Sequence, residues 1–316
     1  MAKVRTTVAA LSLLVATGST TAAAGHAETY AAPGPLPGLS ATTLDARYQA
    51  TEREIGKALS TAERARDGDR ARALRAFQAP GRRFLSFDAR GGGRAVEVIG
   101  DLNRADRVAV VVPGADTTLA TFDAPKFVAD GARALYRQAR ADAPGGRVAV
   151  IAWLGYDAPS TRGTAVLTSG RAEHGAPALR DLLNGVHQVN GRAHFALLCH
   201  SYGSVVCAKA APRLAPLPVD DIALFGSPGT TADNAAALRT SANVWAGRGK
   251  GDWMRYVPNL RLGGLGFGRD PVSPSFGALR FDAGTGPHSG YLRPGSPALH
   301  NLSKIALGRD TEVTRA

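Results

Sequence analysis

The sequence has few of the residues that usually mark metal and cofactor sites. It contains two cysteines, two methionines and seven histidines among 316 residues. These residues form no cluster with the spacing of metal ligands, and no glycine-rich loop has the pattern of a phosphate-binding loop. We therefore expect no metal, no nucleotide and no other cofactor.

Long hydrophobic runs are also scarce. The run near the start of the chain, Val8 to Thr17, has ten residues, which is too short to span a bilayer. Two basic residues precede it. Two candidate cleavage sites follow it, each with a small residue on either side of a middle residue, and they end at Ala24 and Ala27. This order is typical of a secretory signal peptide. We expect residues 1–27 to be a signal peptide cleaved near Ala24 or Ala27, a secreted (extracellular) protein, and no transmembrane anchor.

Acidic residues are outnumbered by basic ones. The sequence has 38 Lys and Arg against 26 Asp and Glu, a formal net charge of +12. The basic residues are almost all arginines spread along the chain, without the interleaved basic and aromatic motif of a nucleic-acid-binding module. We therefore expect no nucleic-acid partner. The positive charge favours a weak electrostatic association with anionic cell wall.

The hydrophobic pattern divides the remaining chain into two regions. Proline and glycine are concentrated in residues 28–40, which indicates a flexible segment. Apolar residues at helical spacing follow over 43–66 and 69–78, and they predict a helical hairpin. We assign residues 28–80 to this N-terminal region and residues 81–316 to the main domain.

Strand and helix patterns alternate through the main domain. Two half-polar strands are followed by apolar runs separated by helical stretches, which is typical of a parallel sheet covered by helices on both faces. We predict an α/β fold with a mostly parallel eight-stranded sheet. Strands are expected near 83–89, 95–99, 108–112, 148–154, 195–199, 222–225, 242–245 and 278–283, and helices near 126–141, 177–189, 204–214 and 297–307. The Gly-, Thr- and Ala-rich segment 158–175 is expected to form a lid or pocket wall.

The sharpest local signal is the sequence F-A-L-L-C-H-S-Y-G-S-V-V, which starts at Phe195. An apolar strand runs into a turn and then into a helix. A nucleophile elbow requires this context, because its serine must project above the sheet from a strained turn. We predict Ser201 as the nucleophile. Cys199 replaces the first glycine of the usual G-x-S-x-G pattern, which is a departure.

An oxyanion hole needs two backbone N–H groups aimed at the developing negative charge. The N–H of Tyr202, directly after the serine, is expected to supply one. The loop after the third strand reads V-P-G-A-D, and it should supply the other. We expect this donor to be the N–H of Ala115, with that of Gly114 as the alternative.

The acid and the histidine of a triad follow the serine in this order along the chain. His288 lies in a glycine-rich loop after the last predicted strand, whereas His300 falls inside the terminal helix. We therefore predict His288 as the base. Asp252 ends the loop after the penultimate strand and is the predicted acid. Asp270, in an Asp-Pro pair, is the alternative acid.

Several segments resemble one known family in their order. They read G-D-L-N-R-A-D-R-V-A-V-V-V-P-G-A, W-L-G-Y-D-A-P, C-H-S-Y-G-S, D-P-V-S-P-S-F-G-A and H-S-G-Y. Together they resemble a bacterial secreted α/β-hydrolase family of unknown function whose elbow reads G-H-S-Y-G-S. The resemblance covers residues 83–308, implies an α/β-hydrolase fold, and supports Ser201, Asp252 and His288 as a triad. It implies no particular substrate.

The two cysteines fall on either side of the elbow. Cys199 lies on the strand before the serine and Cys207 lies in the helix after it. Because that strand and helix run antiparallel, the two side chains should sit at similar depth, and an exported protein permits a disulfide. The alternative is a pair of small buried thiols.

These observations predict a serine hydrolase of the esterase or lipase type. We expect it to cleave a small-molecule or lipid-like carboxylic ester through an acyl-enzyme. An amidase or peptidase of the same fold remains as an alternative. A further alternative is a non-catalytic cell-surface binding protein that keeps the fold without the reaction.

Overall fold

A computed structural model describes residues 28–316, so the predicted signal peptide lies outside the described residues. The sheet has eight strands in the order β1-β2-β4-β3-β5-β6-β7-β8. The strands are β1 (Arg83–Asp88), β2 (Arg94–Ile99), β3 (Arg107–Val112), β4 (Val148–Leu154), β5 (His194–His200), β6 (Val219–Phe225), β7 (Asn243–Gly247) and β8 (Leu279–Arg280). The pairs β1–β2 and β2–β4 are antiparallel, and the other five pairs are parallel. The predicted mostly parallel, eight-stranded sheet is confirmed.

Six α-helices are present in the described residues. They are α1 (Leu44–Arg64), α2 (Gly68–Phe77), α3 (Val128–Asp142), α4 (Gly170–Val189), α5 (Gly203–Ala210) and α6 (Pro297–Ala306). No helix in residues 28–316 combines the length and the apolar character needed to cross a membrane.

The central strands are apolar on both faces because helices cover both faces. In β3, Val108 and Val110 belong to the core shared with α4 and α5. Their neighbours Ala109 and Val111 belong to the opposite core, which includes residues of α3 and α6. Side chains alternate between the faces of a strand, so a strand buried on both faces is a continuous apolar run.

Helix α4 and strand β8 are among the elements that differ from the predicted bounds. Helix α4 begins at Gly170, well before the predicted start at residue 177, and contains Pro177 in its interior. Proline is common in the first turn of a helix, which is why the pattern placed the start too late. The segment 158–175 therefore holds a short 3₁₀ turn, Thr164–Leu167, and the first turns of α4 rather than one long loop. Strand β8 has only two residues.

The segment before α1 has no regular secondary structure, but it lies against the rest of the protein. The Tyr30 hydroxyl donates to Asp67 at 2.9 Å, and the guanidinium of Arg47 donates to the carbonyl of Pro37 at 2.6 Å. Leu39 packs against α4 beside Gly185, where an added Cβ would lie 2.5 Å from the leucine. Side chains from both ends of this segment are thus held by the helices.

The sheet order opens a crevice at the carboxyl ends of the strands. Strand β4 lies on one side of β3 and β5 lies on the other. Connections that leave neighbouring parallel strands in opposite directions create such a crevice, where ligands bind in open α/β sheets. The loops that follow β3, β5, β7 and β8 meet there, and they carry the candidate site.

Candidate active site

Ser201 occupies a strained turn between β5 and α5. Its φ is 53°, in the left-handed region that non-glycine residues rarely adopt. The turn is held by hydrogen bonds from the Ser201 N–H to the Phe225 carbonyl and from the Ser204 N–H to the Ser201 carbonyl, both 2.9 Å long. Such a turn projects the serine hydroxyl above the end of the sheet.

Two glycines allow the chain to pass close to this turn. A Cβ on Gly203 would lie 2.5 Å from the carbonyl oxygen of Val112, and one on Gly114 would lie 2.7 Å from the Cβ of Ser201. Real Cβ atoms do not approach other atoms so closely, so only glycine fits at either position. The loop after β3 can therefore lie directly against the serine.

Ser201, His288 and Asp252 form a continuous chain of hydrogen bonds. The Nε2 of His288 lies 3.0 Å from the Oγ of Ser201, and its Nδ1 lies 2.9 and 3.0 Å from the two carboxylate oxygens of Asp252. An ionised carboxylate only accepts hydrogen bonds, so Nδ1 carries the proton and Nε2 accepts from the hydroxyl. The three residues come from loops after β5, β8 and β7, respectively.

Asp252 is fully buried but well supplied with donors. Besides His288, the Tyr291 hydroxyl donates to it at 2.5 Å and the Met254 N–H at 2.8 Å. Burial raises the pKa of Asp252, but the hydrogen bonds from His288, Tyr291 and Met254 outweigh it, and the net pKa is lowered. Burial and the adjacent carboxylate raise the pKa of Tyr291, so the phenol keeps its proton.

The alternative acid has other partners. Asp270 accepts a hydrogen bond from the guanidinium of Arg248 at 2.5 Å and one from the N–H of Val272 at 3.1 Å. The structure therefore places Asp252, and not Asp270, against His288.

The expected oxyanion donors belong to the residue after Ser201 and to the loop that passes close to the serine at Gly114. Within residues 28–316, the N–H groups of Tyr202, Ala115 and Gly114 donate to no protein acceptor. The loop that carries the last two is held in place, because the Tyr156 hydroxyl donates to the carbonyl of Pro113 at 2.8 Å. These backbone donors are thus available to a bound oxyanion.

Three neighbours of the site were not predicted. His200 contacts the backbone carbonyl of His288 through Nε2 at 2.8 Å. Burial, together with the nearby His288, lowers the pKa of His200 to about 3, so its ring is neutral and donates this bond. The ring of Trp253 lies 4.9 Å from that of His288. Tyr291 is the last residue of the segment H-S-G-Y. Its position three residues after His288 was the one signal in the sequence that it lies near the site.

The two cysteines form a disulfide. Cys199 and Cys207 are both buried, and their Cα atoms lie 6.5 Å apart. The bond joins β5 to α5 across the elbow. Of the two arrangements that the sequence left open, the structure has the bonded one.

Residues 28–316 contain no group of three or more His, Cys, Asp or Glu side chains that could hold a metal ion. The arrangement around Ser201 consists instead of a hydroxyl, an imidazole, a carboxylate and free backbone N–H groups. This set of groups is the one used in acyl transfer by serine enzymes.

Comparison with known families decides the family. The profile described as alpha/beta hydrolase matches residues 88–262, more than half of the chain, and this range includes Ser201 and Asp252. The chain belongs to the α/β-hydrolase family. The family match and the sheet order together confirm the predicted α/β-hydrolase fold.

This α/β-hydrolase has relatives among mycobacterial proteins. The uncharacterized protein Rv2079 of Mycobacterium tuberculosis is 33% identical over 250 residues, covering 69% of this chain and 37% of the relative. The uncharacterized protein Rv0963c of the same species is 33% identical over 168 residues, covering 50% of this chain and 62% of the relative. The chain thus spans less than two thirds of the length of these relatives.

Solved structures with similar coordinates include two bacterial proteins. XC6422 from Xanthomonas campestris, a member of the a/b serine hydrolases without a lid, has 14% identity and a TM-score of 0.43, covering 73% of this chain and 95% of that chain. ATU1826 from Agrobacterium tumefaciens, a putative alpha/beta hydrolase, has 9% identity and a TM-score of 0.44, covering 74% of this chain and 99% of that chain.

Proposed function

We propose that this α/β-hydrolase is a serine hydrolase that cleaves a carboxylic ester through an acyl-enzyme. The observation that carries the proposal is the hydrogen-bonded chain from Ser201 through His288 to Asp252, with the serine on a strained turn. A nucleophile, a base within hydrogen-bond reach and a third group that orients the base are the parts that this chemistry needs.

In the proposed reaction, the Nε2 of His288 accepts the hydroxyl proton while the Oγ of Ser201 attacks the ester carbonyl carbon. The carbonyl oxygen becomes an oxyanion and accepts hydrogen bonds from the N–H groups of Tyr202 and Ala115. His288 then gives its proton to the leaving alcohol oxygen as the carbon–oxygen bond breaks. Water, deprotonated by His288, attacks the acyl-enzyme and releases the acid and the free serine.

Asp252 has two tasks in this scheme. Its carboxylate holds Nδ1–H, so that Nε2 faces the serine, and it stabilises the imidazolium that forms when His288 takes up the proton. The hydrogen bond from Tyr291 supports both tasks, because it keeps Asp252 ionised and fixed in position.

The side chains around the serine favour an apolar, lipid-like ester. The half-exposed ring of Trp253 packs beside His288 and offers apolar surface next to the base. Exposed aromatic rings bind acyl chains by burying apolar surface. Such rings offer few hydrogen-bonding groups to recognise a peptide backbone. Amide cleavage is therefore the second candidate function.

The proposal extends to the organisation of the chain. Residues 1–27 are proposed as the signal peptide, 28–80 as an N-terminal region with the helical hairpin, and 81–316 as the hydrolase domain. The disulfide supports export, since such bonds persist in oxidising compartments. The net charge of +12 supports a weak association with anionic cell wall after export.

The test is labelling of the mature protein with a fluorophosphonate probe, which reacts with activated serines. We expect the wild type to be labelled and Ser201→Ala to be unlabelled. Ser289→Ala is the matched control, because it removes an exposed hydroxyl directly beside His288 and should leave labelling unchanged. Correctly folded wild-type protein that takes no label would argue for the non-catalytic binding protein.

A second measurement separates ester from amide cleavage. The substrates are p-nitrophenyl esters and p-nitroanilides with acyl chains of two to twelve carbons. At each chain length, kcat/KM should be higher for the ester than for the anilide. The value of kcat/KM for the esters should rise with chain length as more apolar surface is buried. A preference for the anilides would replace the esterase proposal by the amidase one.

A further inference from the structure

An exposed apolar surface borders the candidate active site. Seven large hydrophobic side chains are exposed in the described residues, and six of them lie in two neighbouring segments. We call these six the apolar rim: Leu167, Trp253, Tyr256, Leu260, Leu262 and Leu265, which are between 52% and 82% exposed. Contiguous exposed apolar side chains of this size mark interaction sites in soluble domains.

Backbone contacts bring Leu167, Leu262 and Leu265 of the rim together. Leu262 pairs with Leu265 in a tight antiparallel bridge, and Leu265 also pairs with Thr168. The Gly266 N–H donates to the carbonyl of Leu167 at 2.8 Å. The 3₁₀ turn Thr164–Leu167 and the loop after β7 are thereby joined side by side.

The rim is also tied to the residues beside Ser201. The Tyr202 hydroxyl donates to the Thr168 carbonyl at 2.7 Å, and the ring of Phe267 packs on Tyr202. On the other side, Trp253 packs beside His288. The rim therefore adjoins both the nucleophile and the base.

Basic residues predominate around the rim, although the exposed carboxylate of Glu173 lies near Arg261. Residues 253–269 contain three arginines and no acidic residue, and residues 158–169 contain one arginine and no acidic residue. These arginines, at positions 162, 255, 261 and 269, are exposed. Exposed apolar side chains among basic ones are typical of surfaces that bind anionic lipid.

Two other occupants fit these side chains less well. In a symmetric contact with a second copy, the same patch meets itself, so arginines would face arginines. An anionic wall polymer would pair with the arginines but would leave the leucines in water. Only a surface that is both anionic and apolar satisfies both kinds of side chain.

We propose that the apolar rim docks the protein on the surface of an anionic phospholipid bilayer. The leucines enter the boundary between headgroups and acyl chains, and the arginines contact the phosphates. The crevice that holds Ser201 then faces the lipid. In naming membrane lipid as the source of the ester, this inference rests on the proposed function; docking itself requires no chemistry at Ser201.

The test is co-sedimentation of the mature protein with vesicles of phosphatidylglycerol and phosphatidylcholine, compared with vesicles of phosphatidylcholine alone. We expect binding to the anionic vesicles that weakens as NaCl is added, because salt screens the arginines. The double variant Leu260→Ser, Leu262→Ser should bind at least about tenfold more weakly. The control is Leu279→Ser, since Leu279 is the seventh exposed large hydrophobic residue and lies on β8, outside the rim.

A second pair of variants tests the charge. Arg255→Gln combined with Arg261→Gln should weaken binding to the anionic vesicles about three- to tenfold, because each basic residue near the membrane surface is attracted to the anionic lipids. Arg53→Gln with Arg137→Gln removes two exposed arginines elsewhere and should leave binding unchanged.

Fluorophosphonate labelling of the same variants in solution separates the two proposals. Labelled wild-type protein that ignores anionic vesicles overturns the docking proposal and leaves the serine hydrolase intact. Protein that takes no label but binds vesicles through the leucines overturns the serine hydrolase proposal and supports docking. Docking is also overturned if Leu279→Ser weakens binding equally. It is likewise overturned if the leucine variant binds the anionic vesicles as well as the wild type does. A rim variant that changes only the oligomeric state would indicate contact with a second copy instead.

Discussion

Two buried aspartates, at opposite ends of the sheet, have opposite electrostatic properties. Asp252, at the carboxyl ends of the strands, accepts hydrogen bonds from His288, Tyr291 and Met254, and its pKa is lowered. Asp221, near the start of β6, accepts one at 2.9 Å from the indole of Trp245 and a longer one at 3.4 Å from the amide of Asn243, and burial raises its pKa to about 6.

The difference between these two aspartates lies in their donors and not in their burial. Both side chains are at most 1% exposed. Within residues 28–316, the second oxygen of Asp221 has no hydrogen-bond partner, and the Arg107 guanidinium lies 4.0 Å from it. The like charge of the nearby Asp310 raises the pKa of Asp221 more than Arg107 lowers it. A buried carboxylate stays ionised only when donors replace the water that it loses. Donor count therefore separates a carboxylate suited to support a base from one that merely costs stability.

The largest expected effect comes from removing the charge of Asp252. Asp252→Asn can no longer hold the Nδ1–H of His288 or stabilise the imidazolium, and kcat/KM for an ester should fall about 10³- to 10⁴-fold. Steady-state hydrolysis of the preferred p-nitrophenyl ester measures this. Asp270→Asn is the matched control and should change kcat/KM by less than about threefold. Equal losses in the two variants would contradict the assignment of Asp252.

Neutralising Asp221 should stabilise the protein and leave its activity unchanged. Because its pKa is raised on folding, the protonated form favours the fold, and stability is lost as pH rises from the unfolded pKa through about 6. Asp221→Asn keeps an oxygen for Trp245, so it should raise the free energy of unfolding by about 1–3 kcal/mol at pH 8 and by less at pH 5. Urea unfolding at both pH values measures this, with ester hydrolysis unchanged. Destabilisation at pH 8 would show that the ionised carboxylate has a favourable partner.

His200 is a partly buried base near Asp252, and it extends the comparison to a histidine. Its pKa is lowered to about 3 in the fold, so the unfolded chain binds the proton more readily and stability is lost as pH falls below the ordinary value of about 6.5. His200→Gln should reduce the loss of stability between pH 7 and 5 by about 1–2 kcal/mol. Urea unfolding across this range measures the slope. A variant with the wild-type slope would mean that His200 does not carry this proton linkage.

The smallest expected effect comes from removing one donor to Asp252. Tyr291→Phe leaves Asp252 with His288 and one backbone N–H, and kcat/KM should fall about five- to tenfold. The acid limb of the pH–rate profile should change as well, which a purely structural role would not cause. Tyr136→Phe is the control, since the Tyr136 hydroxyl makes no hydrogen bond within the described residues. An unchanged profile in Tyr291→Phe would mean that Tyr291 does not position Asp252.

Much of the fold could be predicted because a strand whose sheet is buried on both faces has a continuous apolar sequence. The continuous apolar runs of β3, β4, β5 and β6 marked the centre of the sheet, and strand–turn–helix patterning marked the elbow at Ser201. The start of α4 was predicted too late because an interior proline has the same local pattern as a proline in the first turn.

The chain order and residue types by themselves pointed to Ser201, Asp252 and His288 as a group, because each lies in a turn or loop that follows a strand. Only the tertiary structure decided which atoms meet. Tyr291 and Asp252 are 39 residues apart, and no local pattern records their hydrogen bond. Likewise, Trp253 follows a fully buried residue yet is half exposed. The tertiary structure also decided between bonded and free cysteines. The physical reason is that local sequence encodes backbone geometry and burial, whereas contacts between loops depend on how the whole sheet positions their ends.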